Sequence, residues 1–412
     1  MTAKPLGLFQ GFGVELEYMI VNRGDLSVLP ASDRVMRHFS GSFESEIEMG
    51  RLRWSNELVL HVIELKTAGP AVALKPLPAL FQKDVRRINR YLDTLGGRLM
   101  PTAMHPWMDP ARETRLWPHE YNEVYEAYNR IFGCRGHGWS NLQSLHLNLP
   151  FHGDEEFGRL HAAVRLVLPI LPALAASSPF VGARPNGIFD NRLEFYRNNQ
   201  RKIPSLTGSV IPEPVYTRSD YQKKILERLY SDIAPHDPSG IMREEWINSR
   251  GAIARFDRDT IEIRLIDVQE CPLADLAVAA GVVGAVRLLV SERPSAFKFQ
   301  SKIAVKPLAD ILRRCIRSAE RAVIDDPRYL RALGFDGESS VAAGTLWRRL
   351  IDAAPAEFLD SALRKPLARI LERGSLSTRI LRAVGGSASR SALFGVYGEL
   401  ADCLAEGRLF VP

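Results

Sequence analysis

Apolar and polar residues alternate in several short segments of this chain, which is the pattern of β-strands with one buried face. The spacing predicts strands at residues 13–21, 59–66, 145–149 and 260–268. The turn-forming sequence Asn-Arg-Gly-Asp at residues 22–25 predicts a hairpin to residues 26–29. Longer segments with a period near 3.6 residues predict helices, which we place at residues 75–94, 120–131, 154–176 and 273–289.

The regions between and after these elements differ in character. Residues 177–214 are rich in Pro, Gly, Asn and Arg without a clear period, which predicts a long functional loop. After about residue 300 the pattern is wholly helical and rich in Arg, with small residues at 385–389 before a final helix at 391–406. The pattern as a whole predicts an α+β fold with a helical C-terminal region.

The first predicted strand carries two carboxylates on one face. Glu15 and Glu17 are two residues apart and point to the same side, while Val14, Leu16 and Tyr18 point to the other. In an isolated strand such a pair is more often a solvated face than a metal site. Neighbouring carboxylates repel each other, however, and a hard divalent cation would neutralise that repulsion.

A second acidic segment raises a question of parity. Glu57 and Glu64 flank an apolar run and are seven residues apart, so a regular strand would direct them to opposite faces. Both reach one site only if a bulge intervenes, or if Glu57 precedes the strand on a loop or helical turn. Between them, His61 is predicted to be structural rather than a ligand.

Two further strands each carry a polar pair opposite an apolar face. His146 shares a face with Asn148, and Glu262 shares one with Arg264. A lone strand histidine is more often structural, but imidazoles and carboxylates also bind metals, and guanidinium groups bind phosphate. Three such strands together predict a curved, mainly antiparallel sheet with a charged concave face, lined by Glu15, Glu17, Glu64, His146, Glu262 and Arg264.

Such a face suits phosphoryl transfer. Carboxylates can hold magnesium ions, and cationic side chains can stabilise the charge that develops on the transferred phosphate. The sequence has no Gly-x4-Gly-Lys-Ser/Thr loop, and no Gly-x-Gly-x-x-Gly follows a predicted strand. A nucleotide would therefore have to be bound in another way.

Composition narrows the remaining classes of protein. The 412 residues include 54 basic and 48 acidic ones, a net charge of +6, but no interleaved basic and aromatic residues that would indicate nucleic-acid binding. The four cysteines form no CxxC pair, which argues against a zinc site or a disulfide framework and favours a cytoplasmic location. Neither a signal peptide nor a transmembrane helix is predicted, so we expect no membrane partner.

Several motifs together resemble the glutamate–cysteine ligase family of the second type, whose members are carboxylate–amine ligases related to glutamine synthetase. They occur in the order of the family over about residues 13–280, and the last 130 residues match only loosely. The motifs are GVELEYMIV at 13–21, NELVLHVIEL at 56–65, SLHLNLPF at 144–151, AASSPFVGARPNGIFDNRLEFYR at 175–197 and TIEIRLIDVQECP at 260–272.

The resemblance implies a glutamine synthetase-like catalytic domain at residues 1–295 and a helical region at 296–412 that packs on it or forms a lid. It implies two or three Mg²⁺ ions, with Mn²⁺ as an alternative, that bridge the phosphates of ATP. Their implied ligands are Glu15, Glu17, Glu57, Glu64, His146 and Glu262. Arg264 and Glu64 would be catalytic, and the implied contacts to substrate or nucleotide are Asn148, Arg192, Arg250 and Arg264.

The implied reaction activates glutamate as an acyl phosphate and joins it to cysteine, a step of glutathione biosynthesis. The family often has His-x-His where this chain has His146-Leu147-Asn148, so the amine acceptor stays open. The alternatives are a ligase of the same mechanism with another amine, a nucleotide-binding homologue without turnover, and a nucleic-acid binder that uses the C-terminal helices. The sequence leaves the oligomeric state open.

Overall fold

The computed structural model describes residues 5–386 and 388–412, and its centre is a large antiparallel sheet. The strands of this sheet are β1 (Gly13–Asn22), β2 (Glu46–Met49), β3 (Leu52–Asn56), β4 (Val62–Thr67), β5 (Gly97–Met100), β6 (Ser144–Pro150), β9 (Ala252–Arg255) and β10 (Thr260–Asp267). They follow the order β2-β3-β4-β1-β6-β10-β9, and β5 pairs with the second half of β1. Two short pairs lie outside it: β7 (Phe180–Val181) with β8 (Arg184–Pro185), and β11 (Val323–Ile324) with β12 (Val341–Ala342).

The helices surround this sheet and form the rest of the chain. The π-helical turn Gln222–Leu226 joins the helices Arg218–Tyr221 and Glu227–Ile233. The helices are α1 (Ser32–Ser40), α2 (Leu77–Asp93), α3 (Pro110–Glu113), α4 (Asn122–Phe132), α5 (His137–Ser140), α6 (Gly153–Val167), α7 (Leu171–Ala175), α8 (Asn191–Tyr196), α9 (Arg218–Tyr221), α10 (Glu227–Ile233), α11 (Pro272–Val290), α12 (Phe297–Gln300), α13 (Val305–Ser318), α14 (Pro327–Ala332), α15 (Ala343–Ala353), α16 (Ser361–Arg373), α17 (Leu376–Val384) and α18 (Arg390–Glu406).

The sheet has one apolar and one polar face, as the alternation predicts. On the apolar face, Leu16 of β1, Leu147 of β6 and Ile263 of β10 are buried in one continuous core. This face is tied to α11 by the Tyr18 hydroxyl, which donates a 2.8 Å hydrogen bond to buried Asp275. The polar face carries the charged residues considered below. The prediction of an α+β fold around a mainly antiparallel sheet is confirmed.

Two apolar helical segments belong to this core. Gly153–Ala175 and Pro272–Val290 are long and apolar enough to span a membrane by length and composition alone. In the structure, 94% and 89% of their most apolar stretches are buried inside the protein. Both are therefore accounted for as core helices.

The C-terminal helices pack against these core helices. Helix α16 contacts α11, and both α13 and α15 contact α7. Helix α18 instead contacts β5 and α2. A buried ion pair between Arg379 of α17 and Glu270, which follows β10, joins the two parts of the chain. The boundary predicted at residue 296 remains a prediction, and one apolar cluster extends across it from Phe12 to Leu404.

The structure corrects several details of the predicted elements. The second strand begins at Val62 rather than at residue 59, because residues 57–61 form a turn. The predicted loop at 177–214 contains α8 and the β7–β8 pair, and the C-terminal region, predicted to be wholly helical, contains β11 and β12. The small-residue segment at 385–389 includes position 387, which lies outside the described residues.

Candidate active site

The strand register brings the predicted carboxylates and histidine together on the polar face. Glu17 of β1 is opposite Glu64 of β4, and Glu15 of β1 is opposite His146 of β6. Because alternate residues of a strand share a face, these side chains point to the same side of the sheet. The structure thus brings the four residues together, and their roles as metal ligands remain predictions.

Glu57 reaches the same place from outside the strands. It follows β3 directly and precedes β4, so it lies in the turn between the two strands. The alternation that would direct Glu57 and Glu64 to opposite faces of one strand therefore does not apply. A carboxylate oxygen of Glu57 lies within 4.8 Å of oxygens from Glu17 and Glu64. Of the two arrangements that the sequence left open, the structure contains the loop and not the bulge.

The candidate ligand atoms form two clusters that share one residue. Glu15, Glu64 and His146 offer the first set of donor atoms, and Glu17, Glu57 and Glu64 offer the second. Within each set the atoms lie within 4.8 Å of one another. Carboxylate oxygens with a single imidazole suit hard divalent cations such as Mg²⁺ and Mn²⁺, so the residues present fit the implied metal.

Hydrogen bonds orient the carboxylates of β1. One oxygen of Glu15 lies 3.0 Å from His146 Nδ1, and the other accepts a 3.0 Å bond from the Asn148 amide. Glu17 accepts bonds from the backbone N–H and the hydroxyl of Ser144, at 2.8 and 3.0 Å. Asn148 therefore holds a candidate ligand in place, in addition to any contact with substrate.

Glu64 lies between a hydroxyl group and a lysine. Its carboxylate accepts a hydrogen bond from Ser55, and one of its oxygens is 3.2 Å from Lys66 Nζ. The same ammonium group lies 2.8 Å from Glu46 at the edge of the sheet. Lys66 thus places a cation beside the shared residue of the two clusters.

The electrostatics of the first cluster favour a charged pair. Burial by itself would raise the pKa of Glu15, but the hydrogen bond from His146 and the charges of His146 and Lys66 lower it to about 2. Burial would lower the pKa of His146, but Glu15, Glu17 and Glu262 outweigh it and raise the pKa to about 9. Without a metal, His146 therefore carries a proton that offsets the surrounding carboxylates.

In the second cluster the carboxylates repel one another. Burial raises the pKa of Glu57 well above its usual range, and the charges of Glu17 and Glu64 raise it further. Burial and the charges of Glu15 and Glu17 raise the pKa of Glu64 to about 7, although Lys66 opposes this shift. A cation bound between these groups would remove both the repulsion and the cost of burying charge.

On β10, Glu262 is surrounded by cationic groups. Arg264 donates bonds of 2.9 and 2.6 Å to one of its oxygens, and Arg255 lies 3.5 Å from the other. The His146 ring is 3.9 Å away. Glu262 lies beside the two clusters and belongs to neither, so the structure places it at the site without showing it as a ligand.

A bulge in β10 brings one more acidic residue to the polar face. The register shifts between Ile263 and Ile266, and Asp267 then lies opposite Ser144. Regular alternation would have directed Asp267 toward the apolar face. There its carboxylate accepts a 2.5 Å bond from Arg192 Nε in a fully buried ion pair. Arg192 Nη2 is buried and has no hydrogen-bond partner among the described residues.

Arg250 does not reach the site. Its guanidinium donates bonds of 2.5 and 2.7 Å to Glu213 and a 3.1 Å bond to the carbonyl of Ser205. It lines neither of the two cavities described next. Internal acceptors thus occupy this guanidinium, and the predicted contact between Arg250 and substrate or nucleotide remains a prediction.

Two cavities flank the row of carboxylates. The Lys66 cavity has a volume of about 490 Å³ and is bordered by Glu15, Lys66 and Asn148, with Arg53 and Arg258 at its rim. The Arg264 cavity has a volume of about 290 Å³. It is lined by Glu17, Glu57, Leu58, Tyr125, Tyr128, Gly138, Trp139, Leu142, Ser144, His146, Arg192, Tyr196, Asn199, Trp246 and Arg264. Among the described residues, none after Arg264 lines either cavity, and the predicted role of the C-terminal region as a lid remains a prediction.

Several site residues were missed in the sequence. Lys66 shares a strand face with Glu64 and could have been found by the same alternation. Asp267 was concealed by the bulge, and Tyr125 and Trp246 come from segments with no motif of their own. Only the folded chain brings these last residues to the Arg264 cavity.

The antiparallel sheet, its paired carboxylates and the neighbouring arginines are the features expected of an ATP-dependent carboxylate–amine ligase. The model of the glutamate–cysteine ligase family 2 matches residues 11–397. The chain belongs to this family and is a ligase that forms C–N bonds. This confirms the family, and with it the class of enzyme, that the motifs indicate.

The chain is also similar to individual proteins and to a solved structure. An uncharacterized protein of Archaeoglobus fulgidus is 31% identical over 88% of this chain and 99% of its own length. A Rubrobacter xylanophilus protein, provisionally named glutamate–cysteine ligase 2-3, is 26% identical over 45% of this chain and 47% of its own length. The crystal structure of a Francisella tularensis glutamate–cysteine ligase in complex with AMP shares the fold, with a TM-score of 0.60 at 12% identity over 98% of this chain and 89% of that one.

Proposed function

We propose that this chain forms a γ-glutamyl amide from glutamate and a primary amine, through an acyl phosphate made with Mg²⁺ and ATP. The observation that supports this most is the pair of carboxylate clusters sharing Glu64, with Arg264 beside them and a cavity on either side. Such an arrangement separates a place for a nucleotide from a place for the molecules to be joined. The proposed metal ligands are Glu15, Glu17, Glu57, Glu64 and His146, with Glu262 adjacent.

The two cavities suit different substrates. The Lys66 cavity combines a lysine and two arginines with backbone at Gly11 and Gly69, which suits the phosphates and flat base of ATP. The Arg264 cavity has Arg192 and Arg264 next to Glu17, which suits glutamate with its γ-carboxylate directed to the clusters. ATP and glutamate would then meet across the row of carboxylates.

The chemistry follows from this placement. An oxygen of the γ-carboxylate attacks the γ-phosphorus of ATP, the bond to the bridging oxygen breaks, and ADP leaves. The amine nitrogen then attacks the acyl carbon, loses a proton and expels phosphate. Bound metal would supply positive charge to the phosphates. Arg264 and Arg192 face the same cavity and would stabilise the negative charge on the transferred group.

Cysteine is the first acceptor to test, because the family description and the name of the Rubrobacter xylanophilus relative include it. The product would then be γ-glutamylcysteine, a precursor of glutathione. We also propose a reducing, cytoplasmic location, since Cys134, Cys271, Cys315 and Cys403 are all buried and free.

The test is release of ADP by the purified chain with ATP, Mg²⁺ and glutamate, with and without an amine. Hydroxylamine, a very small amine, should trap the acyl phosphate as glutamyl hydroxamate. We expect ADP release to require glutamate and to be lost in Glu15→Gln, because that change removes a proposed metal ligand. Tight binding of ATP without any ADP or hydroxamate would support the homologue without turnover instead.

A matched substitution controls for general effects of losing a charge. Glu155→Gln makes the same change in the first turn of α6, where the side chain is 88% exposed and lines neither cavity. Its activity should equal that of the unmodified chain. Equal losses in Glu15→Gln and Glu155→Gln would contradict the assigned site.

A further inference from the structure

One wall of the Arg264 cavity is made of aromatic and aliphatic side chains. Tyr125 and Tyr128 come from α4, Trp139 from α5, and Trp246 from the short 3-10 helix Glu245–Ile247. Leu58 and Leu142 complete it. All six side chains are half-buried, so each still exposes part of its surface to the cavity. We call these six residues the aromatic wall.

The rings of the aromatic wall are arranged around Tyr128. Its ring centroid lies 5.1 Å from that of Trp139 and 5.9 Å from that of Trp246, with interplanar angles of 52° and 41°. The Tyr125 hydroxyl accepts a 2.8 Å hydrogen bond from the side chain of Asn56, which precedes Glu57. The rings are thus held next to the carboxylates without being removed from the cavity.

Charged residues line the same cavity. They are Glu17, Glu57, His146, Arg192 and Arg264, and the acyl phosphate is proposed to form beside them. A molecule that attacks the acyl carbon from this cavity would present its nitrogen to these charged residues. Its remaining part would then lie against the aromatic wall.

The size and composition of the aromatic wall indicate which side group the acceptor amine should have. The side chain of cysteine has one methylene and one sulfur, and would leave most of the exposed surface of these six side chains in contact with water. A phenyl or indole group would bury much more apolar surface and could make offset or edge-to-face contacts with the rings. We infer that the acceptor of this ligase is a primary amine with a flat aromatic side group, such as an aromatic amino acid or an arylalkylamine.

This inference rests on the proposed function and specifies its second substrate. The aromatic amine nitrogen forms a bond to the γ-acyl carbon, the bond from that carbon to the phosphate oxygen breaks, and inorganic phosphate leaves with its electron pair. The nitrogen gives up one proton to the cavity or to solvent. The product is a γ-glutamyl amide of the aromatic amine, and no further reactant is needed.

The first experiment separates acylation from the choice of acceptor. With ATP, Mg²⁺ and glutamate, hydroxylamine reports acyl phosphate formation, and a panel of amines then reports selectivity. The panel contains phenylalanine, tryptophan, phenethylamine, cysteine, alanine and cyclohexylalanine, which matches phenylalanine in size but is not flat. We expect kcat/KM for the best aromatic amine to exceed that for cysteine and alanine by at least about tenfold, with cyclohexylalanine between them.

Each outcome of this experiment has a definite meaning. If hydroxamate forms with hydroxylamine but kcat/KM for cysteine equals or exceeds that for every aromatic amine, the inference is overturned and the proposed function stays intact. Failure to form hydroxamate under any condition overturns the proposed function, and the inference falls with it. An equal rate for all amines would show that the aromatic wall does not select the acceptor, and would also overturn the inference.

A pair of substitutions tests the aromatic wall itself. Trp246→Ala removes a ring, whereas Trp246→Phe keeps one. We expect the ratio of kcat/KM for the aromatic amine to kcat/KM for hydroxylamine to fall about tenfold in Trp246→Ala and to change by less than about threefold in Trp246→Phe. A higher KM rather than a lower kcat should carry the loss.

A second position covers the case in which Trp246→Ala does not fold, which circular dichroism would reveal. Tyr128→Leu keeps an apolar side chain of moderate size and should lower the same ratio, while Tyr128→Phe should keep it. Unchanged ratios in Tyr128→Leu, and in Trp246→Ala if it folds, would exclude the aromatic wall as the acceptor site.

Discussion

The two faces of the central sheet are built from the same strands but follow opposite rules. On the apolar face, Leu16, Leu147 and Ile263 are buried against other apolar side chains and stabilise the fold. On the polar face, Glu17, Glu57 and Glu64 crowd like charges together, which costs stability. The comparison shows that one set of strands can separate stability from chemistry simply by alternation.

The sharpest test of this comparison is Glu64→Gln. Glu64 belongs to both carboxylate clusters, so the change should lower kcat by about a hundredfold to a thousandfold. The melting temperature should stay equal or rise, because one member of a repelling group becomes neutral. Steady-state kinetics with a thermal melt would check both. A large loss of stability would show that the polar face also holds the fold together.

The opposite pattern is expected for Leu147→Ala. Leu147 lies on the apolar face, between two residues of the site, and is fully buried. Its truncation should lower the free energy of unfolding by about 2 to 5 kcal/mol. The activity of the molecules that remain folded should change little. Urea denaturation and active-site titration would measure the two quantities, and a proportionate loss of kcat would break the comparison.

Metal bound at the polar face should stabilise the folded chain. Mg²⁺ at about a hundred times its dissociation constant should stabilise the chain by about 2.7 kcal/mol, seen as a rise in melting temperature. Because the pKa of His146 is raised to about 9, metal binding near neutral pH has to displace a proton. Affinity should therefore increase with pH up to about 9, by up to about tenfold per unit. Glu64→Gln should reduce the stabilisation, and its persistence there would place the metal elsewhere.

The smallest effect contrasts two histidines. Burial lowers the pKa of His61 to about 4, opposite to the shift of His146, although its ring lies 2.8 Å from the carbonyl of Ser140. Between about pH 4 and 6.5 the unfolded chain binds more protons at His61, so stability is complete above 6.5 and falls as the pH drops. The contribution is about 1.4 kcal/mol per pH unit.

Urea denaturation from pH 4.5 to 7.5 would measure this slope for the unmodified chain and for His61→Gln. In the variant, the free energy of unfolding should depend less steeply on pH, by the equivalent of about one bound proton. Identical slopes would mean that His61 is not held neutral by burial.

A site residue can be predicted from the sequence when its position depends only on residues close to it in the chain. The pairs Glu15 with Glu17, His146 with Asn148, and Glu262 with Arg264 follow from the two-residue period of a strand, a local rule. To predict that Glu57 also lies at the site, one must know the position of the turn between β3 and β4. The turn depends on where pairing ends, which local pattern indicates only approximately.

The sequence alone determined the α+β class, the polar faces of the strands and the family motifs. All of these depend on the alternation of apolar and polar residues within short segments and on the order of those segments along the chain. Only the tertiary structure decided that a bulge directs Asp267 to Arg192, and that internal acceptors occupy Arg250. It also decided that rings from α4, α5 and residue 246 share one cavity. These features depend on contacts between segments far apart in the chain, and no local pattern specifies which of them will meet.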